Sequence, residues 1–460
     1  MPCAVRRKNL SNFHRICQRT IKIKNLNRQI LKLAIPNILS NLSIPLLSSV
    51  DIALMGRQEG AEYIGAIALG ALIFNFIYWS FAFLRMGTTG FAAQAYGQSD
   101  KYQIINVLAR ALLLAVVSGL IILMIQIPLG EMSFRLLGAS EAVETISKEY
   151  YYIRIWAAPA TLSLYVLMGW FFGMQNSIYP LILTLVVNAM NIVCNIYFVN
   201  YLAMQADGVA LGTVIAQYTG LVVGIILFLY KYSEYLPFLQ KEKLLDWTAF
   251  KAFMSLNGNI FIRTFCLVFS FAFFDNQSAI LGDLTLAANG VLLQFVFWMS
   301  YGVDGFGYAS ESLVGRYYGS KKTNLLQKAI RYSFYWGMGL AVLYSLIYWI
   351  FGESMLYIFT DQEDIINAAR PFLIWVVLFP IVSTAGYIWD GIYIGFTASV
   401  AMRNTMVASF LTFLAFYYLQ DVGANWGNHG LWASLVVMML SRGIYQWWWY
   451  EWKIKKVVLE

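Results

Sequence analysis

Apolar runs long enough to cross a bilayer alternate with short polar breaks along almost the whole chain. They fall near residues 29–55, 64–92, 103–128, 148–173, 178–200, 207–230, 251–275, 286–314, 326–351, 370–395, 402–420 and 428–450. A spanning helix needs roughly 20 mostly apolar residues. The pattern therefore predicts an all-α polytopic membrane protein with 12 transmembrane helices.

Composition agrees with the pattern. The 460 residues are 60% hydrophobic and 12% charged, against about 25% charged in soluble proteins. The net charge of +8 is a topology signal before it is anything else. Arg6, Arg7, Lys8, Arg15, Arg19, Lys22, Lys24 and Arg28 precede the first run, and Lys101, Lys231, Lys241, Lys243, Lys251, Arg316, Lys321, Lys322, Lys328, Arg403, Lys453, Lys455 and Lys456 fall on the same side. Glu131, Glu141, Glu144 and Glu149, and then Glu353, Asp361, Glu363 and Asp364, fall on the other. The positive-inside rule then places both termini in the cytoplasm of a multi-pass protein of the cell (inner) membrane. Nucleic acid is excluded as the partner of the basic residues. Residues 1–28 are read as a cytoplasmic basic extension, either a solvated tail or one drawn to anionic lipid. Their Arg- and Ser-rich, acid-poor composition also has something of a transit peptide.

Other chemistry has little material. Cys3 and Cys17 lie in the extension, Cys194 and Cys266 stand singly in apolar runs, and the two histidines, His14 and His429, lie outside them. No metal site, disulfide framework or phosphate-binding loop emerges, so no cofactor and no ATP motor are expected.

The chain repeats itself. MGTTGFAAQAYGQSD and YASESLVGRYYGSKK set Gly97 against Gly319, 222 residues apart. YVLMGWFFGMQN and YIWDGIYIGFTA set Gly169 against Gly391 and Gly173 against Gly395 at the same 222-residue offset. Gly208 against Gly430 and Asn37 against Asn259 repeat it again. The chain therefore divides into a six-helix lobe at 29–230, a cytoplasmic linker at 231–250, a second six-helix lobe at 251–450 and a cytoplasmic tail at 451–460. An even number of spans per repeat relates the lobes by a pseudo-two-fold axis along the membrane normal, one of the two repeat designs of secondary transporters. Duplication that merely enlarges a bundle is the alternative.

Ionisable residues inside a bilayer are functional candidates. Asp51 ends the first run, after Pro36 and Pro45, which can bend a helix and free its carbonyls; an interfacial cap before Gly56 and Arg57 is the plain alternative. Asn188, Asn191 and Asn195 recur at helical spacing and, with Gly208 and Thr213, can form a polar pocket or act as interhelical glue. Arg154 sits deep enough to need a partner. In the second lobe Arg263, Asp304, Glu311 and Asp390 form a candidate charged network, whether functional or structural. Asp390 aligns with Met168 and Asp51 with Phe273, so the lobes kept their glycines and diverged in charge.

With these residues in view, the chain resembles the MATE (multidrug and toxic compound extrusion) transporters, in particular their DinF-like branch. The resemblance runs from Leu31 to Trp452 and rests on LAIPNILSNLSIPLLSSVDIALMG, GALIFNFIYWSFAFLRMGTTGFAAQAYG, VDGFGYASESLVGRYYG and WDGIYIGFTASVAMRNTM. It implies cation-driven export of small amphipathic, often cationic compounds by a monomer in the lipid bilayer, not an enzyme. It sets Asp51 and Asp390 at the family's first- and tenth-span carboxylates, and Thr213 at its pocket hydroxyl. Where much of the family has Asn, three residues, then Asp, this chain has Asn191 and Asn195. The missing carboxylate moves the expectation from sodium to proton coupling through Asp51. A lipid-linked precursor flippase of a related two-lobe fold, and an intramembrane enzyme using Asp304 and Asp390, are the competing functions.

Overall fold

The computed structural model describes residues 26–43, 61–138, 140–240, 246–423 and 426–456. Those residues are helical almost throughout, with no strand among them. After α1 (26–43) come α2 (Gly65–Gln98), α3 (Lys101–Met124), α4 (Glu141–Gly173), α5 (Ile178–Tyr201), α6 (Ala206–Phe238), α7 (Phe250–Ile280), α8 (Asp283–Gly319), α9 (Thr323–Phe359), α10 (Glu363–Gly395), α11 (Ser399–Gln420) and α12 (Asn428–Trp449). Ten of them, α2 to α11, are long and apolar enough to cross a membrane.

Two features differ from the expectation. A short helix, Gln126–Leu137, lies between α3 and α4, across the end of the apolar run at 103–128 and the acidic break after it. Helical structure also continues past residue 230 to Phe238 and resumes at Trp247, so part of the stretch read as linker is wound. Elsewhere the breaks follow local chemistry. α4 narrows to a 3-10 turn at Ile155–Ala157, just before Pro159, and α10 does so at Arg370–Phe372, around Pro371. Proline has no N–H for the ladder, so the chain tightens or turns there.

Packing divides along the sequence. One apolar core, with Phe74, Tyr151, Trp170 and Phe171 at its centre, is built almost wholly from α2 to α6. A second, around Phe274, Phe295, Phe413 and Trp432, comes from α7 to α12. A third joins them: Leu26, Ile30, Leu33 and Ala34 of α1 pack against Phe306, Leu313 and Tyr393 of the second half. On that side of α1, Tyr317 Oη donates to Gln29 Oε1 at 2.9 Å and Asn41 Nδ2 donates to the Tyr301 carbonyl at 3.1 Å. On the other side, Ser177 Oγ donates to the Lys32 carbonyl at 2.9 Å and Ser40 Oγ donates to Thr184 Oγ1 at 2.7 Å. The first helix is therefore shared between the halves.

The glycine repeat reappears as contacts. A Cβ on Gly169 would strike the Arg85 carbonyl, and one on Gly391 the Gly307 carbonyl; one on Gly173 would meet the Thr89 carbonyl, and one on Gly395 the Glu311 carbonyl. Between halves, Gly97 meets Arg316 and Gly319 meets Gln94 in the same reciprocal way. Every partner pair keeps the 222-residue offset of the glycines themselves, so the repeat is a structural two-fold. Gln94 Nε2 donating to the Gly395 carbonyl at 2.8 Å, and Gln175 Nε2 donating to the Ser312 carbonyl at 2.8 Å, reinforce the same seam. It lies at the end that carries Lys101, Arg316, Lys321 and Lys322.

The two kinds of glycine contact separate experimentally. Gly391→Val overpacks one lobe, which costs about 1–3 kcal/mol, and is expected to lower the thermal midpoint of the purified protein. Gly97→Val blocks closure between lobes and is expected to reduce transport more than the midpoint. The reverse ranking contradicts the assignment.

Candidate functional site

Two groups of polar side chains sit inside the bundle, one in each half. In the second, the Asp390 carboxylate of α10 is buried and ion-paired through Oδ2 to both Arg263 of α7 and Arg442 of α12. Gln446, one turn beyond Arg442, donates from Nε2 to Asp390 Oδ1 at 2.7 Å. Gly386 leaves room for the Arg442 side chain to pass. Both oxygens of Asp390 are thus engaged, by two guanidinium groups and an amide. Asp304 of α8 lies within electrostatic reach of Arg85, Arg263 and Arg442, which balances the second arginine.

Glu311 departs from the expected network. It lies two turns from Asp304 on α8, buried to 1% exposure, and its ion partner is Arg85 of α2, at 3.6 Å. The Arg85 guanidinium also stacks 4.1 Å from the centre of the Tyr308 ring. The charged set drawn for the second lobe alone therefore crosses to the first. It crosses because α2 and α8 touch along the seam made by the paired glycines.

In the first half, Asn195 Nδ2 donates to Asn191 Oδ1 at 3.0 Å, and Asn191 Nδ2 donates to Thr213 Oγ1 at 3.0 Å. Asn191 and Asn195 are both buried. Gly212 on α6 leaves the space that the Asn195 amide fills. The structure thus brings together Asn191, Asn195 and Thr213 as a neutral polar chain between α5 and α6. Asn188 turns to α1 instead and donates to Ser43 Oγ at 3.0 Å. Asp51 lies outside the described residues. Among the described residues Arg154 meets aromatic groups rather than a carboxylate: its guanidinium lies 4.7 Å from the centre of the Phe74 ring and hydrogen-bonds the Tyr150 hydroxyl.

The profile of the MatE family matches residues 36–197 and 260–419, once in each half. The chain belongs to the MatE family. It is 35% identical over 415 residues to DNA damage-inducible protein F of Escherichia coli (strain K12), covering 90% of this chain and 89% of that protein. To the probable multidrug resistance protein NorM of Bacillus anthracis it is 23% identical over 423 residues, 89% of this chain and 92% of the other. Its fold is that of the Vibrio cholerae MATE transporter VcmN in the bent form, with a TM-score of 0.83, 19% identity, and coverage of 95% and 99% of the two chains. MatE proteins are membrane transporters related to multidrug efflux proteins, which removes the intramembrane enzyme as an alternative.

Sequence reasoning missed Arg442 and Gln446. A signal was present, since Arg442 is a charge within the last apolar run and Gln446 shares its helical face. The pairing of Arg85 with Glu311 had no local signal, because the two residues come from different halves of this MatE protein.

Asp390→Asn leaves two buried guanidinium groups around a neutral amide. Breaking one partner of a buried ion pair costs about 3–5 kcal/mol. The expected result is a marked fall in the denaturation midpoint of the purified protein; an unchanged midpoint contradicts the structural role.

Proposed function

We propose that this MatE protein exports small amphipathic, often cationic organic compounds by antiport, with the proton rather than sodium as the coupling ion. Two lobes, 29–230 and 251–450, rock about the substrate, and the protein works as a monomer in the cell (inner) membrane with both termini cytoplasmic. With the basic end on the cytoplasmic side, the Gly97, Gly319, Gln94 and Gln175 contacts correspond to a transporter closed toward the cytoplasm.

The observation that carries the ion assignment is the engagement of Asp390 by Arg263, Arg442 and Gln446. A sodium ion needs oxygen ligands with enough negative charge, and here one carboxylate oxygen is held by two guanidinium groups and the other by an amide N–H. The first lobe offers Asn191, Asn195 and Thr213, all neutral. Coupling then falls to Asp51, which takes up a proton from outside and releases it inside. α1 is bonded to α8 on one face and to α5 on the other, so a change at its end acts on both lobes. Coupling follows where proton and substrate favour different states.

Everted vesicles with imposed proton or sodium gradients test this. Wild-type export is expected to follow the proton gradient, and Asp51→Asn to lose uphill export by roughly ten-fold or more, within the range of typical coupling energies. Sodium-stimulated export without pH dependence, or an unaffected Asp51→Asn, contradicts it.

A further inference from the structure

At the basic end, where Gly97 and Gly319 bring α2 and α8 together, a cavity of about 330 Å³ straddles the two halves. Tyr96, Ser99 and Lys101 line it from one half, and Arg316, Ser320 and Lys322 from the other. No carboxylate is among its described lining residues. Arg316 and Lys322 have no ion-pair partner among the described residues. Arg316 lies over the Tyr96 ring, 5.4 Å from its centre. Lys101 reaches Glu234, outside this cavity, at 4.0 Å.

Three like charges from two bodies repel across the seam they close. An anion between them turns that repulsion into attraction, and the Ser99 hydroxyl adds a donor suited to a phosphate oxygen. Basic pockets between helices on the cytoplasmic side suit phosphate head groups. We propose that this cavity binds a phosphate group, from an anionic phospholipid or from free phosphate, and that the bound group holds the lobes together at the basic end. The cations separate when the lobes part there, so the ligand favours the closed state and shifts the population toward it. The site is distinct from the asparagine chain and from Asp390. Its effect on lobe closure rests on the rocking motion proposed above; the binding does not.

The test reads binding and closure separately. Native mass spectrometry of delipidated protein measures retention of phosphatidylglycerol against phosphatidylcholine. A spin-label pair at Gln103→Cys and Asn324→Cys, one on each half, measures the closed fraction in three settings: phosphatidylcholine vesicles, the same with phosphatidylglycerol, and the same with inorganic phosphate. Wild type is expected to retain phosphatidylglycerol and to raise its closed-to-open ratio about five-fold for each participating cation, as a surface cation's lipid attraction implies. The Arg316→Gln, Lys322→Gln double variant loses both responses. Lys321→Gln, an exposed neighbour outside the cavity, keeps them. Inorganic phosphate alone reproducing the shift supports the site with free phosphate as its ligand. Equal retention by wild type and the double variant, with equal distances, overturns the site. Selective retention without a distance change overturns the link to rocking and leaves the site standing.

Discussion

Close approach of backbones at paired glycines is the constraint on which the rest of this transporter depends. Within a bilayer, helices gain little from the hydrophobic effect against one another, so packing contact and polar contacts must hold them. Gly169 and Gly391 let α4 and α10 lie against α2 and α8 within their lobes, while Gly97 and Gly319 let α2 and α8 meet each other. The same residue type thus builds each lobe and makes the seam at which the lobes close. A larger side chain at one set disturbs packing within a lobe, and at the other the contact between lobes.

The two lobes spend their polar groups differently on this shared frame. Asp390 is held by Arg263, Arg442 and Gln446, an arrangement that ties α7, α10 and α12 and leaves no oxygen open. The first lobe links Asn191, Asn195 and Thr213 in a chain of neutral side chains. Between the lobes, Arg85 and Glu311 form a buried pair across the contact of α2 with α8. A buried pair of this kind adds little net stability, because desolvation offsets the attraction.

Much of this was legible in the chain. Apolar runs and the 222-residue offset gave the helices and the two-fold, because both are one-dimensional patterns that packing must respect. The asparagine spacing gave Asn191 and Asn195, and hydropathy flagged Arg263, Asp304, Glu311 and Asp390. What remained hidden was partnership across sequence distance. Arg442 is 52 residues from Asp390, and Arg85 meets Glu311 only through the seam. The helix at Gln126–Leu137 was hidden for another reason: twelve residues of mixed polarity are too short to read as a span.

The central claim is that coupling resides in the first lobe while the second-lobe carboxylate is structural. The most direct measurement is proton release on substrate binding, followed with a pH indicator in weakly buffered solution of the purified protein. The account predicts release by wild type and none by Asp51→Asn. Undiminished release by Asp51→Asn, or sodium displacement in its place, would contradict it.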